Sequence, residues 1–224
     1  MNVSIPAGAV ALEGMLELPA AAAGVVAFSH GSGSGRHSPR NRFVAGELRR
    51  AGLGTLLLDL LTEIEDRDYA MRFDIGLLTE RLGHAVRFLA RHDSTRGLRV
   101  GLFGASTGAA SALRVAAAMP ETVRAVVSRG GRPDLAGTHE LARVTAPTLL
   151  IVGARDHGVI ELNEAARDAL KRCTRELELV PGATHLFEEP GTLEAVARLA
   201  SEWFRRHLQQ AQRPQGSPTA IAPP

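Results

Sequence analysis

Apolar and polar positions alternate in short runs from Val3 to Leu18, interrupted by Pro6-Ala7-Gly8, the period of two strands joined as a hairpin at a sheet edge. After Pro19 the pattern changes to compact, mostly apolar stretches: Gly24 to Phe28, Gly54 to Leu58, Leu98 to Phe103, Val123 to Val127 and Pro147 to Val152. Runs of this kind, apolar on both faces, predict parallel strands. Leu177 to Val180 adds another. Between them lie segments with helical spacing. Asp74 is placed to cap a helix whose apolar positions Ile75, Leu78, Leu82, Ala85, Val86 and Leu89 recur at steps of three and four. Leu193, Val196, Ala200 and Trp203 repeat that spacing near the end, and Arg42 to Ala51, the small residues after Ser106, and Val159 to Leu170 supply the other helices. Strands alternating with helices in this order predict an α/β domain: a doubly wound, mostly parallel sheet with helices on both faces. That domain spans residues 1–208. From 209 to 224 the chain is rich in Pro, Gln, Ser and Thr with one large apolar residue, Ile221, and is expected to be disordered.

Composition narrows the chemistry. The 224 residues are 45 % apolar and 22 % charged, as in a globular domain. The 26 basic and 24 acidic residues nearly cancel and are scattered, so nucleic acid is not an expected partner. Lys171 is the only lysine and lies in Leu170-Lys171-Arg172, which rules out a Walker-type phosphate loop. Cys173, the only cysteine and expected on a helix, permits no internal disulfide and no cysteine-rich zinc site. The apolar stretch from Ala20 to Phe28 is too short to span a membrane, and Met1 to Pro6 has no cationic leader, so a cytoplasmic location is expected by default.

The informative stretch is Val100 to Ala110, which reads strand, Gly104-Ala105-Ser106-Thr107-Gly108, helix. A nucleophile at such a turn needs small neighbours, because strand and helix approach closely around it. An esterase serine also needs a histidine to take its proton and a carboxylate to orient that histidine. Asp156 follows the run Thr148 to Val152, and His185 follows Leu177 to Val180, each just past the carboxyl end of a predicted strand. Asp134, after the run Val123 to Val127, is the alternative acid. The glycine-rich segment Ser29-His30-Gly31-Ser32-Gly33-Ser34-Gly35 can bring backbone N–H groups close to a developing oxyanion, and the amides of Ser32 and Thr107 are the expected donors. A dinucleotide reading of the same loop, with Asp59 as the ribose acid, fails on spacing: glycines at 31, 33 and 35 give no Gly-x-Gly-x-x-Gly.

Together the serine turn, the His-Gly loop, Gly153-Ala154-Arg155-Asp156 and the His185 segment resemble the α/β-hydrolase fold and, within it, the small dienelactone hydrolase-like group. The resemblance implies no cofactor, no metal and no large cap domain, the segment from Val127 to Pro147 being too short for one. It also implies a cysteine nucleophile in dienelactone hydrolase itself. Ser106 stands there instead, so the expected activity is that of a serine hydrolase acting on a small ester or thioester. Acyl transfer or peptide hydrolysis by the same groups, and a binding module without turnover, are the rival readings. Arg129 and Arg132 flank Gly130-Gly131 at the functional edge and either grip an anionic substrate or pair with Asp134. Arg36 and Arg40 are read as solvent or ion-pair residues, His37, Ser38 and Pro39 as the start of a helix, and His157, Glu188 and Glu189 as solvated loop residues. Oligomeric state is not legible.

Overall fold

The computed structural model describes residues 1–209; the expected disordered tail lies, apart from Gln209, outside the described residues. Eight strands form one sheet: β1 (Asn2–Ala7), β2 (Val10–Glu17), β3 (Val25–Ser29), β4 (Gly54–Leu58), β5 (Val100–Ala105), β6 (Val123–Arg129), β7 (Thr148–Gly153) and β8 (Arg175–Val180). Their spatial order is β1-β2-β4-β3-β5-β6-β7-β8. The β1–β2 and β2–β4 pairs are antiparallel and all others parallel. Burial explains the two sequence patterns. Every residue of β3, β4, β5 and β7 is buried, whereas the edge strand β1 alternates exposed and buried.

Successive residues of each central strand feed opposite cores. Val26 and Phe28 pack with Val44 and Leu48 of α1 (Pro39–Arg50) and with Val196 and Trp203 of α6 (Thr192–Leu208). On the other face Val25 and Ala27 pack with Leu78, Leu82 and Leu89 of α2 (Ile75–Arg91) and Leu113 of α3 (Thr107–Ala118). That second face also carries a single turn, α4 (Thr138–Leu141), and α5 (His157–Ala169). The Asp74 side chain accepts the Leu77 N–H at 2.9 Å, and the six apolar positions read from the α2 pattern are all buried.

Helix α1 begins at Pro39 with Ser38 as its cap, as read from the sequence, proline's fixed φ suiting a first helical position. One placement differs from expectation. Cys173 is half-buried in the turn after α5, not on a helix, since Leu170 has already left helical geometry with ψ at 64°. Between β6 and β7 the described chain makes only a 3-10 turn, Pro133–Ala136, and α4, so no large cap covers the sheet. The chain moves from β3 outward to β4 and then returns to β5 on the other side of β3. This reversal opens a crevice at the carboxyl ends of β3 and β5, where doubly wound sheets bind ligands.

Candidate active site

β5 turns into α3 through Ser106, whose backbone sits at φ 51° and ψ −123°. A positive φ in a residue with a Cβ costs roughly 1–3 kcal/mol and persists only where the surroundings hold it. Here the Ser106 N–H donates to the Arg129 carbonyl at 3.2 Å, and the Ser106 carbonyl accepts from Ala109 and Arg132 at 3.1 and 3.0 Å. Glycine is required on both sides of the turn. A Cβ on Gly104 would lie 2.5 Å from the Ala109 Cα, and one on Gly108 would strike the carbonyl oxygens of Ser29 and His30.

Asp156 occupies the N-cap position of α5, yet its side chain makes no capping bond. It is directed instead at His185, whose Nδ1 lies 2.7 Å from Asp156 Oδ2. The loops that carry the two residues are laced together, the Arg155 N–H donating to the Ala183 carbonyl at 2.9 Å. The turn around His185 is braced by Glu189, which accepts from the Thr184 hydroxyl at 2.6 Å and from the Thr184 N–H at 3.2 Å. The hydroxyl contact in particular holds the Glu189 carboxyl below its ordinary range. Buried Phe187, at φ 55°, completes the turn. The imidazole lies over Gly130: a Cβ there would be 3.6 Å from His185 Cε1 and 3.1 Å from the His185 carbonyl. Ser106 leans on the carbonyl of Arg129 and His185 on Gly130, so one dipeptide at the end of β6 supports both. The Ser106 hydroxyl makes no hydrogen bond among the described residues, and catalytic contacts commonly tighten only around substrate.

The glycine-rich loop presses on the same serine. A Cβ on Gly31 would lie 3.0 Å from Ser106 Cβ. Ser32 is exposed next to it, and Thr107 opens α3, where first-turn N–H groups have no helical acceptor. A buried hydrogen bond of 2.7 Å between Ser29 Oγ and Ser111 Oγ ties β3 to α3. Beside Ser32 a cavity of about 770 Å³ extends past Ser34, Arg36, Asp59, Thr62 and Asp66.

Four arginines approach this edge, and three are neutralised. Arg36 pairs with Asp59, which occupies the acid of the dinucleotide reading. Arg40 meets Glu188 at 3.1 Å, and Arg132 holds both oxygens of Asp134 at 2.9 and 2.7 Å. Arg129 is only 7 % exposed and, among the described residues, has no carboxylate partner and leaves its Nε without a hydrogen bond; its guanidinium lies 5.8 Å from the centre of the Phe187 ring. Burial, and after it the charge of Arg40, pushes its pKa down to about 10. Sequence reasoning missed the bracing role of Glu189 and the seat at Gly130, since neither contact follows from a local spacing. Among the described residues no group of three or more His, Cys, Asp or Glu is placed to hold a metal, and no helix is long and apolar enough to cross a membrane.

A mostly parallel sheet with helices on both faces, no large cap, and a serine turn at the end of its central strand define an α/β hydrolase. More narrowly, the chain belongs to the dienelactone hydrolase family, whose model matches residues 66–212. A solved dienelactone hydrolase from Anabaena variabilis is 55 % identical, with a TM-score of 0.90 over 93 % of this chain and 97 % of that one. The protein Est1E from Butyrivibrio proteoclasticus, solved with ferulic acid bound, shares the fold at 18 % identity, with a TM-score of 0.78 over 92 % of this chain and 98 % of that one. A Mycobacterium tuberculosis protein that carries the provisional name phosphoribosyl transferase is 56 % identical over 208 residues. Those residues are 92 % of this chain and 46 % of that protein, so the chain spans about half the length of the curated relatives it matches.

Proposed function

We propose that this member of the family is a serine hydrolase that cleaves a small carboxylic ester or thioester through an acyl-enzyme. The observation that carries the reading is a strained Ser106 at the strand–helix turn, bonded to the Arg129 carbonyl, while the next residue, Gly130, seats an imidazole held by a carboxylate at 2.7 Å. In this reading Ser106 Oγ attacks the carbonyl carbon while His185 Nε2 takes its proton. Asp156 holds the Nδ1–H and stabilises the imidazolium, and the Ser32 and Thr107 N–H groups receive the oxyanion. Collapse of the tetrahedral adduct breaks the bond to the leaving group, which takes the proton back from His185. Water then enters by the same route, releases the acid and restores the serine. No metal or organic cofactor takes part.

The uncompensated cation at Arg129 supports a substrate with a carboxylate or phosphate, since a guanidinium binds either in a two-pronged contact. Arg132 is already engaged by Asp134, so the anion-binding role falls to Arg129. The transferase name of the mycobacterial relatives is not carried over. It belongs to chains about twice as long as the matched part, and the glycine-rich loop here packs its Gly31 against Ser106. The test is a panel of activated esters varying in acyl length and in a free carboxylate, run with and without a competing amine. Release of free acid, with carboxylate esters preferred, is the expected result. Acyl transfer to the amine as the main product, or no turnover of any ester, contradicts it.

A further inference from the structure

His30 is 6 % exposed, at the junction of β3 and the glycine-rich loop, and it is hydrogen-bonded through both ring nitrogens. The Leu60 N–H donates to Nε2 at 3.0 Å, so that nitrogen carries no proton. Nδ1 lies 2.9 Å from the Gly31 carbonyl, which can only accept, so the proton is on Nδ1. The partners thus select one neutral tautomer. Burial agrees, lowering the pKa of His30 against the opposing pull of the Gly31 carbonyl, Asp59 and Asp66. Those two carboxylates are themselves occupied, Asp59 by Arg36 and Asp66 by Arg72.

The Gly31 carbonyl belongs to the same planar unit as the Ser32 N–H, and in a trans peptide the two point in opposite directions. No peptide bond among the described residues is cis. Gly31 O also accepts the Ser34 N–H at 3.2 Å, so two donors hold the carbonyl end of the unit. We propose that His30 is a positioning residue for the hydrolase reaction: by gripping the Gly31 carbonyl and the Leu60 amide at once, it turns the Ser32 N–H toward the oxyanion. It touches no reacting atom and acts through the Gly31–Ser32 peptide. The proposal rests on the serine hydrolase reading and on Ser32 as an oxyanion donor.

The test combines kinetics with spectroscopy on the whole chain. For His30→Ala, kcat on an activated ester should fall roughly 10- to 100-fold, short of the 10²–10³ seen when an oxyanion donor is removed outright, with KM changed less than about twofold. Labelling by a fluorophosphonate should slow in step, because its adduct uses the same donors. His30→Asn keeps a short side-chain N–H for the Gly31 carbonyl and should recover most of the lost kcat. In the unaltered protein, nitrogen NMR at neutral pH should find His30 protonated at Nδ1 only. A raised KM at unchanged kcat, no difference between the Asn and Ala variants, or a proton on Nε2 would overturn the proposal. If His30→Ala does not fold, the Asn variant and the NMR measurement decide. Failure of the underlying reading looks different: Ser106→Ala would then retain ester turnover, whatever the His30 variants do.

Discussion

Arg129 bears a cost to stability that its own fold does not offset. A guanidinium that is 7 % exposed with no counter-ion among the described residues loses hydration without recovering it from an ion pair. Replacing it with methionine, similar in reach and apolar, should raise the urea midpoint while weakening selectivity for anionic esters about 10- to 100-fold, mainly through KM. Neutral esters should be turned over as before. A lowered midpoint together with unchanged selectivity would assign Arg129 to packing against Phe187 alone. Ser106 carries the companion tension. Its φ of 51° suits glycine better than serine, so Ser106→Gly should stabilise the protein by roughly 1–3 kcal/mol and abolish ester turnover. Urea titration and a single-substrate assay check both halves; a destabilised variant would mean that the serine side chain supports the turn. These two residues were singled out from sequence for their positions. The strain at Ser106 follows from the strand–helix turn that its motif implies, whereas the burial of Arg129 was not legible, because it depends on what packs around that side chain.

At the scale of elements, the segment between β4 and α2 is anchored by contacts that no local period in the sequence marks. The Thr62 N–H donates to Glu65 Oε2 at 2.8 Å and the Glu65 N–H to Thr62 Oγ1 at 3.2 Å. Glu65 then meets Arg81 of α2 at 2.9 Å, and Arg81 donates to the Ala7 carbonyl of β1 at 2.6 Å. Arg81 falls among the core positions of α2, a place an amphipathic reading reserves for apolar side chains, which is why the tie was missed. Burial acts to raise the pKa of Glu65, but hydrogen bonds from Thr62 and the contact with Arg81 outweigh it and leave the pKa lowered. A lowered folded value means that Glu65 adds stability above its unfolded pKa and loses it as pH falls through the folded one. Glu65→Gln should therefore cost roughly 1–3 kcal/mol at pH 7, with the gap from the unaltered protein closing below about pH 4. Thermal unfolding at a series of pH values measures this; a gap constant down to pH 3 would remove the ionic contribution. By contrast, α2 itself, the β1–β2 hairpin and the parallel strands were readable, since their periods follow directly from which faces are buried.

Across the whole molecule, the candidate site is assembled from five places on one edge of the sheet: the loop after β3, the β5–α3 turn, the end of β6, and the facing loops after β7 and β8. The order Ser106, Asp156, His185 could be read from the chain because each residue directly follows a recognisable strand. Asp156 was preferred to Asp134 on the same ground; the 2.7 Å contact of Asp156 with His185 and the engagement of Asp134 by Arg132 are tertiary facts that no spacing gives. The central claim is that Ser106 forms a covalent acyl intermediate. Its most direct measurement is covalent labelling of the purified protein with a fluorophosphonate, followed by intact mass and peptide mapping. The account predicts one adduct per chain, on the peptide containing Ser106, slowed by several orders of magnitude in His185→Ala and absent in Ser106→Ala. An adduct on Ser32, Ser34 or Ser111 instead, or none on a protein that still cleaves esters, would contradict it.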